Sequence, residues 1–314
     1  MKPRIVTLTL NPALDVATSV ERVQPVHKLR CAEPRFDPGG GGINVARVVR
    51  RLGGDVLAVF PAAGATGARL AALVEAEGVP AAPSPAAGET RESFNVIDRT
   101  DGAEYRFVLP GPALAPAELE ACVSAALAAS SPGGVLVVSG SLPAGVPPSL
   151  IADLAGRARA AGLRLAVDTS GPALASALQA GVFLVKPNLK ELSDHLGRAL
   201  PDTAARLQAS RDLIAAGAAE VIALTLSAEG ALLVTRDSAW SVPAAPVQPV
   251  STVGAGDSFL AGLIFGLAHG RPPQEALRTA AAAGAAALLA PGTALGEAED
   301  VFSLAEQIRP AAVP

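Results

Sequence analysis

The densest chemistry in this chain lies in the turn 254–257, Gly-Ala-Gly-Asp, which runs into an apolar segment, 259–267, that reads as a helix. Gly254 and Gly256 leave backbone N–H groups uncovered at the helix start, where the macrodipole favours an anion. Asp257, at the same point, serves either as a capping acceptor or as a base. On its own the turn is as good a helix cap as a phosphate site. A second glycine-rich stretch, 39–42, is followed by Asn44. Glycines there let a ligand approach the backbone closely, or simply form a flexible turn before a helix. Asn188 and Glu191, three residues apart, share one face at the start of another helix. Their oxygens suit Mg²⁺ held through water, and the same pair also reads as a helix cap with a first-turn glutamate. Arg91 and Arg106 fall on two expected strands, and Lys28 and Arg30 at the start of a third, 29–36, where alternate residues point the same way. Cations converging in that way suit a phosphorylated substrate; the other reading is solvated surface charge.

The elements that must position these groups follow a clear rhythm. Apolar, β-branched runs at 5–10, 56–60, 135–138, 163–167, 182–185 and 221–224 alternate with helical stretches. That pattern predicts an α/β fold: a mostly parallel sheet with helices on both faces. Parallel sheets bind ligands beyond the carboxyl ends of their strands. Polar residues collect at those ends here: Asp15, Ser139 and Ser141, Asp168, Lys186 and Asn188, Thr225 and Ser227, and the 254–257 turn. Two stretches, roughly 12–38 and 88–110, contain strands only, the second with a hairpin signal at Thr100-Asp101-Gly102. They are predicted to pair as a small β-lid beside the main sheet. No repeat or linker divides the chain, so 1–314 reads as one domain.

Composition removes several function classes. A hydrophobic content of 50% with 17% charged residues supports a large core and excludes global disorder. A net charge of −4 without any Lys/Arg run gives no footprint for nucleic acid. Two isolated cysteines, Cys31 and Cys122, and three scattered histidines make neither a disulfide framework nor a His-based metal site, and the reducing cytoplasm is the expected location. The N-terminal stretch 1–15 lacks an apolar leader segment, and the apolar run 279–295 is broken by Gly284, Pro291 and Gly292. Neither a signal peptide nor a membrane span is expected. A Gly-x-Gly-x-x-Gly fingerprint starting at 39 or 41 would end on Asn44 or Ala46, and its acidic partner about 20 residues on is missing. The absence of Gly-Lys-Ser/Thr excludes a P-loop, and the absence of His-Arg-Asp and Asp-Phe-Gly excludes a protein-kinase core.

The stretches GGGGINVARVVRRLGG (39–54) and STVGAGDSFLAG (251–262) resemble the two signature motifs of the ribokinase/PfkB carbohydrate kinases, and the resemblance covers nearly the whole chain. Within that family TLTLNPALD (7–15), KLRC (28–31), YRFVLPGPAL (105–114), VSGSLPAG (138–145) and VKPNLKEL (185–192) look most like the phosphofructokinases. The resemblance implies a Rossmann-like, ribokinase-like α/β domain with a β-lid. It implies ATP-dependent phosphorylation of a ketohexose phosphate at its C1 hydroxyl: fructose 6-phosphate, with fructose 1-phosphate and tagatose 6-phosphate as alternatives. By the same resemblance Asp257 is the general base, and Gly254, Ala255 and Gly256 form the anion hole. Asp15, Gly39, Gly40, Gly41 and Asn44 match sugar-hydroxyl contacts, and Lys28, Arg30, Arg91, Arg106 and Ser141 match contacts to the substrate and its phosphate. Lys186, Asn188, Thr225, Ser227, Gly230 and Gly284 match the nucleotide side, with Glu191 joining Asn188 near Mg²⁺. The family's lids often pair into a homodimer, which would bring Lys28 to the neighbouring site. Related kinases also bind a monovalent cation, K⁺, near the anion hole; here Ala290 and Ala294 stand where Asn and Arg are expected, and backbone carbonyls remain as ligands.

Overall fold

The computed structural model describes residues 4–314; the first three residues, part of the stretch read above for a leader, lie outside it. The N-terminal third contains β1 (Ile5–Leu8), β2 (Ala13–Val20), β3 (Arg35–Gly39), α1 (Gly41–Arg51), β4 (Val56–Ala63), α2 (Gly64–Ala76), β5 (Ala81–Ala86), β6 (Arg91–Asp98) and β7 (Glu104–Val108). The middle follows with α3 (Pro116–Ala129), β8 (Val135–Ser139), α4 (Ser149–Ala160), β9 (Arg164–Asp168), α5 (Gly171–Ala180), β10 (Val182–Val185), α6 (Leu189–Leu196), α7 (Thr203–Ala215) and β11 (Ala219–Thr225). The chain closes with β12 (Ala231–Thr235), β13 (Ala239–Val242), α8 (Ala255–Ala268), α9 (Pro273–Leu289), α10 (Ala298–Gln307) and β14 (Ala311–Ala312).

Ten strands form one sheet in the order β14-β13-β12-β11-β10-β9-β8-β1-β4-β5. It is parallel from β11 to β5, and β12, β13 and β14 close it antiparallel. Its central strands are apolar at nearly every buried position, Thr7 of β1 excepted, and alternate residues feed opposite cores. Ile5, Val135 and Val137 join the cluster with α1, α8 and α9, whereas Val6, Leu136 and Val138 join the one with α3, α4 and α5. Truncating a fully buried member such as Leu136 or Leu184 to alanine costs about 2–5 kcal/mol. Burial on both faces leaves only the strand ends for polar work. Among the described residues no helix is long and apolar enough to cross a membrane.

The second sheet has four strands in the order β3-β2-β6-β7. Its register sorts the residues by face. Asp15 pairs with both Asp37 and Ser93, Ala17 with Arg35 and Asn95, and Asn95 with Arg106. One face is therefore polar. The other carries Leu14, Val16, Phe36, Phe94, Tyr105 and Phe107. Arg69 of α2 stacks on Phe36, so α2 covers part of that apolar face, while Tyr105, Phe107 and Leu109 stay 38%, 53% and 45% exposed.

One expectation needs correcting. No strand forms over 29–34: residues 21–34 are irregular and mostly exposed, and the expected strand is realised only at its end, where β3 starts at Arg35. Pro25 and Pro34 cannot donate to a ladder, and no ladder forms with β2 beyond Ala32, whose N–H donates to the Ser19 carbonyl at 2.8 Å and whose carbonyl accepts from Thr18 Oγ1 at 2.9 Å. Lys28 and Arg30 therefore do not share a strand face. Neither α3, whose alanine-rich sequence blurs the helical period although Cys122, Val123 and Ala126 are buried, nor β5, a proline-containing edge strand, is marked by the sequence pattern.

Candidate active site

The site is built around the start of α8. Gly254 adopts a left-handed conformation (φ 74°) that L side chains avoid, and its carbonyl accepts the first helical bond from the Ser258 N–H at 2.8 Å. The N–H groups of Ala255, Gly256 and Asp257 precede that bond and have no helical partner. Asp257 follows in the first turn, half-buried, and its Oδ2 accepts from Asn44 Nδ2 at 2.8 Å. Burial pushes the Asp257 carboxyl up to about 7; Asp168 and Asp15 add to the rise, while the Asn44 hydrogen bond and Lys186 oppose it. Lys186, buried just beyond β10, pairs with Asp168 at the end of β9 at 3.2 Å. Burial works against its charge, but Asp168, Asp257 and Glu191 hold its pKa above the usual lysine value. A Cβ placed on Gly256 would sit 3.6 Å from the Lys186 Nζ, so the ammonium borders the same turn. A charge-ready base, open N–H groups and a buried cation thus meet at one point.

The polar face of the small sheet supplies the second part. Asp15 in β2 is buried, and burial raises its pKa to about 6 against the pull of Arg106, Arg91 and Arg47. Arg91 donates to the Asn11 carbonyl (3.2 and 3.3 Å) and to Ser93 Oγ at 3.2 Å. Asn11 in turn donates to Ser141 Oγ at 3.0 Å. Arg106, exposed on β7, forms no hydrogen bond or ion pair among the described residues and faces Asp15 across the sheet.

The glycines at 39–42 pack against the chain's own residues. A Cβ on Gly39 would fall 2.3 Å from the Asp15 carboxylate, one on Gly41 2.3 Å from Ser139 Oγ, and one on Gly42 2.5 Å from Thr9 Oγ1. Gly40 combines φ 109° with Thr9 at 2.8 Å. These glycines let the protein's own strand ends close around the turn, bringing Asp15, Ser139 and Asn44 together.

Beyond Lys186 lies an open cleft of about 600 Å³ lined by Asn188, Leu189, Lys190, Ser193, Leu226, Ser227 and Glu229. Asn188 and Glu191 form a reciprocal cap: Asn188 Oδ1 accepts from the Glu191 N–H (2.8 Å) and Glu191 Oε2 from the Asn188 N–H (2.9 Å). The helix-cap reading of this pair is thus realised in the structure. Thr225, at the end of β11, bridges Asn188. Gly230 is required by packing, since a Cβ there would lie 2.0 Å from the Val242 carbonyl at φ 100°. Gly284 of α9 packs against Ala255 and Phe259 of α8.

The structure therefore brings Asp257, the 254–256 turn, Asn44, Lys186 and Asp15 together, with Arg91 and Arg106 beside Asp15 and Ser141 joined to Arg91 through Asn11, while Asn188 and Ser227 line the cleft of about 600 Å³ and Thr225 bridges Asn188. Lys28 and Arg30 stand apart in the exposed 21–34 loop. Asn11, Ser93 and Asp168 join the site without having been singled out for it. Asp168 had one signal, its place at a strand end, and the others had none.

The fold agrees with known proteins. Residues 9–300 match the model of the pfkB family carbohydrate kinases, and the chain belongs to that family. It is 46% identical over 309 residues to an ATP-dependent 6-phosphofructokinase isozyme 2 of Mycobacterium tuberculosis, covering 98% of this chain and 91% of that one. It is 38% identical to a 1-phosphofructokinase of Rhodobacter capsulatus, covering 100% and 99%. The structure superimposes on phosphofructokinase-2 from Escherichia coli, crystallised with substrates and products, at a TM-score of 0.94 and 41% identity over 97% of this chain and 99% of that one. That enzyme has also been solved with potassium and as a tetrameric inhibited form.

Proposed function

We propose that the protein is an ATP-dependent sugar-phosphate kinase that phosphorylates fructose 6-phosphate at its C1 hydroxyl to give fructose 1,6-bisphosphate. The observation that carries this reading is the Asp257 carboxyl, poised at about 7 and hydrogen-bonded by Asn44 beside three open helix N–H groups. Above that pH the carboxylate takes the C1 hydroxyl proton as the oxygen attacks the γ-phosphorus of ATP. The new O–P bond forms, the bond to the β-phosphate oxygen breaks, and ADP leaves with the electron pair. The N–H groups of 255–257 and the Lys186 ammonium stabilise charge on the transferred group. Asp15 orients the sugar, and Arg91 and Arg106 bind its 6-phosphate. The four-stranded sheet acts as the lid of a single catalytic unit.

Two ions bear on this reading. Bound Mg²⁺ supplies charge neutralisation across the phosphate oxygens. Among the described residues no group of three His, Cys, Asp or Glu could hold a metal, and Glu191 spends one carboxylate oxygen on the cap. Its other oxygen suits an ion that keeps most of its waters, as Mg²⁺ does. K⁺ fits less well. In the loop after α9 the carbonyls of Pro291, Thr293 and Ala294 already accept from Arg35, Arg47 and Arg51. The outer lid face, with Tyr105, Phe107 and Leu109 uncovered, supports pairing of two lids in a homodimer.

A coupled ADP-release assay over fructose 6-phosphate, fructose 1-phosphate and tagatose 6-phosphate tests the proposal. Fructose 6-phosphate is expected to give the highest kcat/KM. Preference for fructose 1-phosphate would move the chain to the 1-phosphofructokinases, and no turnover with any of the three would sink the kinase reading.

A further inference from the structure

Among the described residues Arg47 is the most deeply buried charged side chain, 1% exposed on α1, and it touches none of the reacting groups. Its Nε and Nη2 bind both oxygens of Glu77 at 2.9 and 2.6 Å. Its Nη1 reaches Asn44 Oδ1 at 3.2 Å, the Pro38 carbonyl at 2.9 Å and the Thr293 carbonyl at 3.2 Å. One turn on, Arg51 binds the same Glu77 and the carbonyls of Ala294 and Gly296. The two guanidiniums thus grip the loop 293–296 from the side away from the cleft.

That grip has two consequences at the turn. An amide whose oxygen is held by a donor must present its N–H₂ on the opposite side. With its Oδ1 held by Arg47, Asn44 aims its Nδ2 at Asp257. The second consequence runs through Leu295, in the gripped loop. Its backbone is left-handed (φ 62°), a strained state for leucine that persists only when surroundings enforce it. Leu295 is 2% exposed and packs so tightly on Gly254 that a Cβ there would lie 2.3 Å from its Cδ2. The base and the anion hole are therefore both held from behind by one charge cluster.

We infer that Arg47, with Arg51 and Glu77, is a positioning clamp for phosphoryl transfer: Arg47 orients Asn44 against the base, and the clamped Leu295 holds the Gly254 turn in its open shape. The inference rests on the kinase reading above. The groups facing Asp257 are Asn44 from α1, Asp168 and Lys186 from the strand ends, and Asp15 from the lid; of these, only Asn44 is held by the clamp. Release of Asn44 removes a hydrogen bond that favours the ionised base, so protonation should then set in at higher pH.

The test is the pH profile of kcat, measured as ADP release at saturating substrates, for the parent, Arg47→Lys and Leu295→Ala. Arg47→Lys keeps the charge but cannot span four partners; its acid limb should move up by about one pH unit. Glu77→Gln, a gentler change at the partly exposed end of the cluster, should move the limb the same way and serves if Arg47→Lys fails to fold. Leu295→Ala should lower kcat roughly tenfold to a hundredfold at every pH and leave the limb in place. A purely structural cluster would lower melting temperature without moving the limb. An unmoved limb in the folded clamp variants, or parent-like kcat in Leu295→Ala, overturns the inference while the parent still turns over. A parent without turnover contradicts the kinase reading itself, and the inference with it.

Discussion

The two sheets position functional groups in different ways. In the ten-stranded sheet both faces are buried, so chemistry sits only where strands end and helices begin: Ser139, Asp168, Lys186, Thr225 and the 254–257 turn. In the four-stranded sheet one face carries a polar centre, where register sets Asp15, Ser93, Asn95 and Arg106 side by side. The first arrangement is rigid, because each polar group is anchored by an apolar strand behind it. The second sets its polar groups on a thin layer whose outer side is partly bare. On the proposed function, transfer chemistry falls to the large sheet and substrate choice to the small one.

Among variants that leave the base in place, the largest effect is expected in the large sheet. Lys186→Met strands Asp168 as an unpaired buried carboxylate and strips the turn of its cation. It should lower kcat roughly 10²- to 10³-fold and cost about 3–5 kcal/mol of stability, read by ADP release and by denaturant unfolding. In the lid, Arg91→Ala should act on binding. A charged hydrogen bond worth about 1.5–3 kcal/mol corresponds to a KM for the sugar phosphate raised roughly tenfold to a hundredfold, with kcat far less affected. An unchanged KM would return Arg91 to surface charge and erase the division of labour.

The pH dependence separates the two sheets again. The raised Asp257 pKa means the base is ionised above about 7 and protonated below it. The parent kcat should therefore climb through that pH and fall about tenfold per unit on the acid side. A flat profile between pH 5 and 8 would deny the base its role. The smallest catalytic effect is expected at the outer lid face. Phe107→Asp should halve the mass seen by light scattering while leaving kcat within about a factor of a few. A monomeric parent would dismiss lid pairing.

The large sheet was legible in the sequence because its signals are local: apolar runs mark strands, and polar residues at their ends mark the cleft. The small sheet was legible as a pair of strand-only stretches, but its register was not. The extended look of 29–36 suggested a strand with Lys28 and Arg30 at its start, whereas the prolines leave 29–34 a loop. The 39–42 glycines stood out without revealing that they face the chain's own strand ends. Asn188 and Glu191 had two readings at equal spacing, and only side-chain geometry showed the cap. Arg47 carried no signal, because a buried arginine in a helix has the same spacing as a solvated one, and its partners Glu77 and Thr293 are 30 and 246 residues away.

The account turns on Asp257 as the group that accepts the C1 hydroxyl proton. It is tested most directly by kcat for fructose 6-phosphate in Asp257→Asn beside the parent, at saturating ATP. Asparagine keeps the shape and the helix start but cannot take the proton. The account predicts a kcat lower by roughly 10²- to 10⁴-fold. An Asp257→Asn enzyme that turns over at the parent rate would contradict it.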